Sequence, residues 1–179
     1  MTDAPLDTDR TQRILEARAR ELAREPEADA RGDTLELVVL SLGQERYGVA
    51  SQLVQAIHPL AGLTPVPGLP AFWAGLVNLR GRLYPVLNLR RYLGLAGEAP
   101  ANGKLALVAA AGLSVALWVD EVPEVRQVPL AQIGPHLSEA LEDQAGAAGR
   151  HGLTPDFLAV LDLEALLADA RLVVQAETN

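Results

Sequence analysis

The chain has 179 residues, with 15 Lys and Arg against 23 Asp and Glu, for a net charge of −8. Hydrophobic residues make up 49% and aromatics 4%, a globular balance that excludes disorder over most of the chain. Cysteine is absent, which excludes a disulfide framework, a thiol nucleophile and a cysteine zinc site.

The length fits one domain, or two small modules sharing a core. Met1–Arg10 is acidic and lacks an apolar segment, so it does not read as a secretory signal. The uncharged run from Tyr47 to Leu79 is interrupted by Pro59, Pro65, Pro67 and Pro70, which rules out a membrane helix there. These features predict a soluble, cytoplasmic protein with no direct membrane insertion.

The charge is unevenly spread. Residues 46–97 hold Arg46, Arg80, Arg82, Arg90 and Arg91 but no Asp or Glu. Residues 1–45 hold eleven acids against six Arg, and residues 98–179 hold twelve acids against four bases. A basic middle in an acidic chain has two readings. Either one surface faces an anionic partner, or these arginines pair with acids of the same fold. Nucleic acid is excluded as a partner, because the net charge has the wrong sign.

Taken in chain order, Thr8–Arg24 is rich in helix formers and carries a narrow apolar stripe of Ile14, Leu15, Ala19, Leu22 and Ala23, with Pro26 ending the helix. Residues 1–32 therefore read as a helical extension and linker. From Thr34 the period changes to two. Leu35–Leu42 and Arg46–Val49 read as strands around a turn that begins at Gly43-Gln44. Leu53, Val54, Ile57 and Leu60 fit either a short helix or a bent strand. Leu63–Pro70 holds three prolines and predicts an extended strap. Ala71–Ala74 predicts one helical turn.

Leu76–Arg80 and Leu83–Leu89 predict a hairpin around Arg80-Gly81-Arg82, followed by a short helix at Arg90–Leu93. After a loop over 95–103, Lys104–Ala110 and Leu113–Val119 predict a second hairpin around Ala111-Gly112. Val122–Val128 reads as a strand despite Pro123, Ser138–Arg150 as a long loop and Phe157–Leu161 as the last strand. Asp162 caps a closing helix to Ala170, with Leu163, Leu166 and Leu167 on its apolar face. Many short strands with glycine and proline turns predict a mainly β fold of small barrels or a sandwich. The two hairpin-bearing halves lie at about 33–95 and 104–170.

Catalytic patterns are missing. The sequence holds no phosphate loop, no dinucleotide fingerprint and no HExxH, and His58, His136 and His151 are isolated. Gly112–Ala116 approaches a nucleophile elbow at Ser114 but lacks its second glycine. Asp120, Glu121 and Glu124 read as a solvated turn rather than an acid–base or metal set. No catalytic, metal or cofactor-binding residue is assigned, which favours a binding module. The notable feature is Asn78-Leu79-Arg80-Gly81, which sets an arginine at the mouth of a tight turn. It is either a plain exposed arginine or one presented to a carboxylate or amide of a partner.

Thr64–Pro70, Gly75–Arg82, Pro85–Leu89 and Leu93-Gly94-Leu95 together resemble the signature stretch of the CheW family, the bacterial chemotaxis coupling proteins. Trp118–Val122 and Phe157–Leu167 resemble its later strand and its closing segment, so the resemblance spans about residues 34–170. It implies two interlocked five-stranded SH3-like β-barrels over residues 33–172, with strand exchange possible between halves and a tail at 173–179. It implies a non-catalytic adaptor that bridges chemoreceptor cytoplasmic tips and the regulatory domain of a CheA-type histidine kinase in membrane-attached arrays. Matched to the family motif, Arg80 takes the place of a receptor-side arginine, with Asn78 and Gly81 shaping its loop. Val54 and Ile57 fall in a partner-contact element, and Val54, Ile57, Leu76 and Leu79 supply an apolar patch. Two features depart from the family pattern: Ala56 stands where the family carries Glu, and the N-terminal 33 residues are additional. They keep two alternatives open, an adaptor of a non-chemotaxis array (surface sensing, gliding or pilus motility) and a regulatory fragment of a larger kinase or coupling protein.

Overall fold

A computed structural model describes residues 33–134 and 150–172. The expected N-terminal helix, most of the loop expected over Ser138–Arg150 and the tail at 173–179 lie outside the described residues. Ten strands form two five-stranded sheets. They are β1 (Thr34–Leu42), β2 (Glu45–Ala50), β3 (Val54–Pro59), β4 (Trp73–Leu79), β5 (Arg82–Asn88), β6 (Lys104–Ala110), β7 (Leu113–Val119), β8 (Glu121–Pro129), β9 (Arg150–Leu153) and β10 (Ala159–Leu161). Among the described residues they are joined by two short α-helices, α1 (Leu89–Tyr92) and α2 (Leu163–Leu167), and by short 3₁₀ turns at Ser51–Leu53, Leu130–Gln132 and Ala170–Leu172. No helix among the described residues is long and apolar enough to cross a membrane.

The first sheet runs β8-β1-β2-β10-β9 and the second β3-β6-β7-β5-β4. Each takes strands from both halves of the chain. The middle five strands are contiguous in sequence, whereas the first sheet joins β1 and β2 to β8, β9 and β10. Both sheets are antiparallel apart from β2 with β10 and β5 with β7.

The sheets share one core. Leu40, Val49, Leu161 and Leu166 of the first part meet Leu87, Leu89 and Leu117 of the second in a single buried cluster. Each sheet also has a core of its own. Leu37, Val39 and Val160 line one, and Val77, Val86 and Leu105 line the other. β1 therefore buries both faces, with Val38 and Leu40 on one side and Leu37 and Val39 on the other. That explains its unbroken apolar run.

A largely buried ion pair links the sheets. Arg90 of α1, only 7% exposed, donates through Nη2 to Asp120 Oδ2 at 2.5 Å and through Nη1 to the Ala96 carbonyl at 2.9 Å. The same Asp120 oxygen accepts from the Gly43 N–H at 2.6 Å. Asp120 thus ties the β1–β2 turn to α1 of the other sheet, and the solvated turn expected there is replaced by a clamp.

Other local expectations are corrected. Ala71–Ala74 forms no helical turn: the Trp73 N–H closes a turn on the Pro70 carbonyl, and the Phe72 carbonyl accepts from the Asn88 N–H. Those bonds commit the segment to β4. The last strand starts at Ala159, because Phe157 takes a φ of 62° in a turn closed on the Thr154 carbonyl. The closing helix stops at Leu167, although Asp162 caps it as expected by accepting from the Ala165 N–H at 3.0 Å. Past α2, the Tyr92 hydroxyl donates to Asp169 at 2.7 Å. Burial and that hydrogen bond push the Tyr92 hydroxyl up to about 12, while hydrogen bonds from Arg171 hold Asp169 down at about 2.

Candidate partner-binding surface

The β4–β5 hairpin turns through Arg80 and Gly81, at φ 54° and φ 82°. Positive φ at both central residues is the type I′ pattern, whose twist matches that of paired strands. Asn78 Oδ1 accepts the Gly81 N–H at 2.9 Å and fixes the tip. Glycine at 81 is demanded by this backbone. Gly81→Val should cost roughly 1–2 kcal/mol of stability, visible as a lowered melting temperature; a melting temperature equal to wild type would remove the turn's requirement for glycine.

A second constraint sits at the other end of β4. Thr64 and Leu76 exchange two backbone hydrogen bonds, of 2.8 and 2.9 Å. The proline strap is thereby laid against the edge of the sheet, over Gly75.

The arginines of the acid-free stretch separate into two groups. Arg90 pairs with Asp120, and Arg46 lies 3.9 Å from Asp156. Hydrogen bonds from Thr154 and Arg126 hold the Asp156 carboxyl at about 2. Arg91 donates to the Ala71 carbonyl at 3.3 Å. Internal pairing accounts for these three. Arg80 and Arg82 are exposed and, among the described residues, enter no ion pair.

Arg80 and Arg82 line a cleft of about 240 Å³ with Gln55, Ala56, His58, Leu79, Tyr84 and Leu107. Its walls come from β3 and β4, the two outer strands of one sheet, and from β5 and β6 between them. The sheet therefore curls until its ends face a common opening. Alternation along the strands puts Ala56 with His58 on one wall and Arg82 with Tyr84 on another.

The structure brings Asn78, Arg80 and Gly81 together at one tip. Ile57 is 44% exposed on β3, but alternation turns it to the face opposite Ala56 and His58, away from the cleft. Val54 is half-buried and packs against the shared core. Leu76 opens elsewhere, into an apolar cavity of about 400 Å³ lined also by Leu69, Trp73, Pro85 and Leu113. Sequence reasoning did not select Arg82 or Tyr84. The signal that carried them was the acid-free stretch, which marks the region but not which arginines stay unpaired.

A CheW-like domain model matches residues 36–171. The chain belongs to the CheW family. The probable chemotaxis protein CheW of Rhizobium etli is 29% identical to this CheW-family chain over 137 residues, covering 75% of this chain and 88% of that one. Protein FrzA of Myxococcus xanthus is 36% identical over 102 residues, covering 56% and 63%. The crystal structure of the scaffolding protein TtCheW from Thermoanaerobacter tengcongensis superposes with a TM-score of 0.67 at 26% identity, covering 76% of this chain and 94% of that one. The mainly β fold with two five-stranded sheets is thus the CheW fold.

Proposed function

We propose that this chain is a non-catalytic adaptor that couples chemoreceptor cytoplasmic tips to the regulatory domain of a CheA-type histidine kinase. It acts in the cytoplasm, on membrane-attached arrays. The observation that carries the reading is the type I′ hairpin presenting Arg80, inside a domain that matches the CheW-like model over residues 36–171. The paired strands on both sides fix the Arg80 backbone at the tip, and its exposed guanidinium is free to make a charge-assisted contact with a partner. Isothermal titration into the regulatory domain of the CheA-type kinase of the same cell tests the kinase arm. A micromolar constant, about −8 kcal/mol, is expected; no binding would overturn that arm. For the receptor arm, Arg80→Glu is expected to weaken binding to a soluble receptor tip by roughly 1–3 kcal/mol and to leave the melting temperature in place. Unchanged affinity would remove Arg80 from the interface. Ala56 favours a second reading, an adaptor of an array outside chemotaxis, since it lies on the same cleft as Arg80.

A further inference from the structure

The cleft beside the hairpin tip has an unusual charge inventory. Arg80, Arg82 and His58 line it, and among the described residues no Asp or Glu does. Ala56 contributes only a methyl group. Elsewhere in the fold each arginine near a carboxylate uses it: Arg90 with Asp120, Arg126 with Asp156 and Arg171 with Asp169. Two guanidiniums on one small opening, with no acid among the described residues lining it, form a site for an acid from outside.

The size of the opening narrows the ligand. About 240 Å³ is roughly the share of eight water molecules, at about 30 Å³ each. One side chain with its nearest waters fits. A helix, at about 10 Å across, does not enter. A carboxylate can take two parallel hydrogen bonds from one guanidinium, and the Tyr84 hydroxyl and Gln55 amide supply neutral hydrogen-bonding groups on the same walls.

We infer that the cleft between His58, Arg80 and Arg82 takes a single Asp or Glu side chain projecting from a partner protein, with Ala56 leaving the room for it. This rests on the adaptor reading and specifies its receptor-side chemistry: the partner supplies the acid that this chain lacks at position 56.

The test puts the acid back in the chain. In Ala56→Glu the new carboxylate occupies the cleft and meets the arginines; Ala56→Gln fills it without charge. Full-length wild type and both variants are titrated with a soluble chemoreceptor tip from the same cell and, separately, with the kinase regulatory domain. Ala56→Glu should weaken receptor binding at least tenfold and leave kinase binding within about threefold. Ala56→Gln should retain more of the receptor affinity than Ala56→Glu. Equal loss in both variants would show that volume alone matters and overturn the proposal, as would no loss in Ala56→Glu.

Melting temperatures supply a readout that needs no partner. Ala56→Glu should melt above Ala56→Gln in about 0.05 M salt. The gap should close in about 1 M salt, where charges are screened beyond about 3 Å. No gap at low salt would overturn the charge assignment of the cleft. If the gap is present but the wild type binds no receptor tip, the adaptor reading fails while the acid-binding cleft is supported. A third titration, with free glutamate, separates sources: saturable binding of glutamate as tight as that of the receptor tip would make the site one for small anions and overturn the protein partner.

Discussion

Replacing Asp120 by alanine is expected to lower the folding stability by about 3–5 kcal/mol, the cost of leaving one charge of a buried pair without its partner. The Arg90 side chain is only 9% exposed and that of Asp120 17%, so water cannot take over the lost contact. The change also strips the Gly43 N–H of its acceptor. For a domain of this size each kcal/mol is worth about 2–4 °C, so the midpoint should fall by roughly 10 °C. A thermal melt followed by circular dichroism would measure that fall, and a urea melt with an unchanged slope would mark a true stability loss. A double variant, Arg90→Met with Asp120→Ala, should lose less than the two single losses combined, because both charges then leave together. Strict additivity would mean that the two side chains do not act as a pair.

The second large effect is expected at Gly75. A Cβ built there would lie 2.1 Å from the Thr64 carbonyl oxygen and 2.8 Å from Pro65 Cα. Both are backbone atoms of a proline-stiffened strap, so neither can swing aside as a flexible side chain would. The φ of 137° adds strain of its own. Gly75→Ala must push the strap off β4 and break both Thr64–Leu76 hydrogen bonds. At about 1 kcal/mol for each bond, plus roughly 1–2 kcal/mol of backbone strain, the loss is about 3 kcal/mol. Hydrogen exchange at the Thr64 and Leu76 amides should accelerate well beyond the rest of the sheet. Protection equal to wild type at those two amides would show that the strap does not depend on the missing side chain.

Local chemistry made part of this architecture legible. Arg80-Gly81 and Ala111-Gly112 sit between apolar strands, and the two hairpins follow from that pattern, although the positive φ of Arg80 and Ala111 does not. Asp162 announces its helix through the same kind of short-range rule. What was not legible depends on topology. The four residues of β9 become a strand by pairing with β10 and, at Leu153, with Gly134, and their own sequence carries no alternation strong enough to mark them. Ala71–Ala74 is composed like a helix, but the hydrogen bond that Phe72 accepts from the distant Asn88 N–H decides otherwise. Arg90 and Asp120 lie 30 residues apart, and nothing local indicates that they meet. The same limit applies to the candidate surface. The motif singled out Arg80 and brings Arg82 with it in the same hairpin, whereas Ala56 and His58 join them only because the sheet curls.

The sheet order has a consequence for biosynthesis. The middle strands, from Val54 to Val119, pair only among themselves and can zip up soon after leaving the ribosome. The opening strands can close only their own hairpin. Tyr47 of β2 has its β10 partner at Ala159, 112 residues later in the sequence. At a synthesis rate of about 5–20 residues per second, one flank of β2 waits roughly 6–20 s for its neighbour. Through that interval the nascent chain shows a strand edge to the cytosol, beside a half-domain that is already folded. The β1–β2 hairpin is thus the segment for which chaperones would compete during translation, and the moment β10 arrives is when the chain stops being a client.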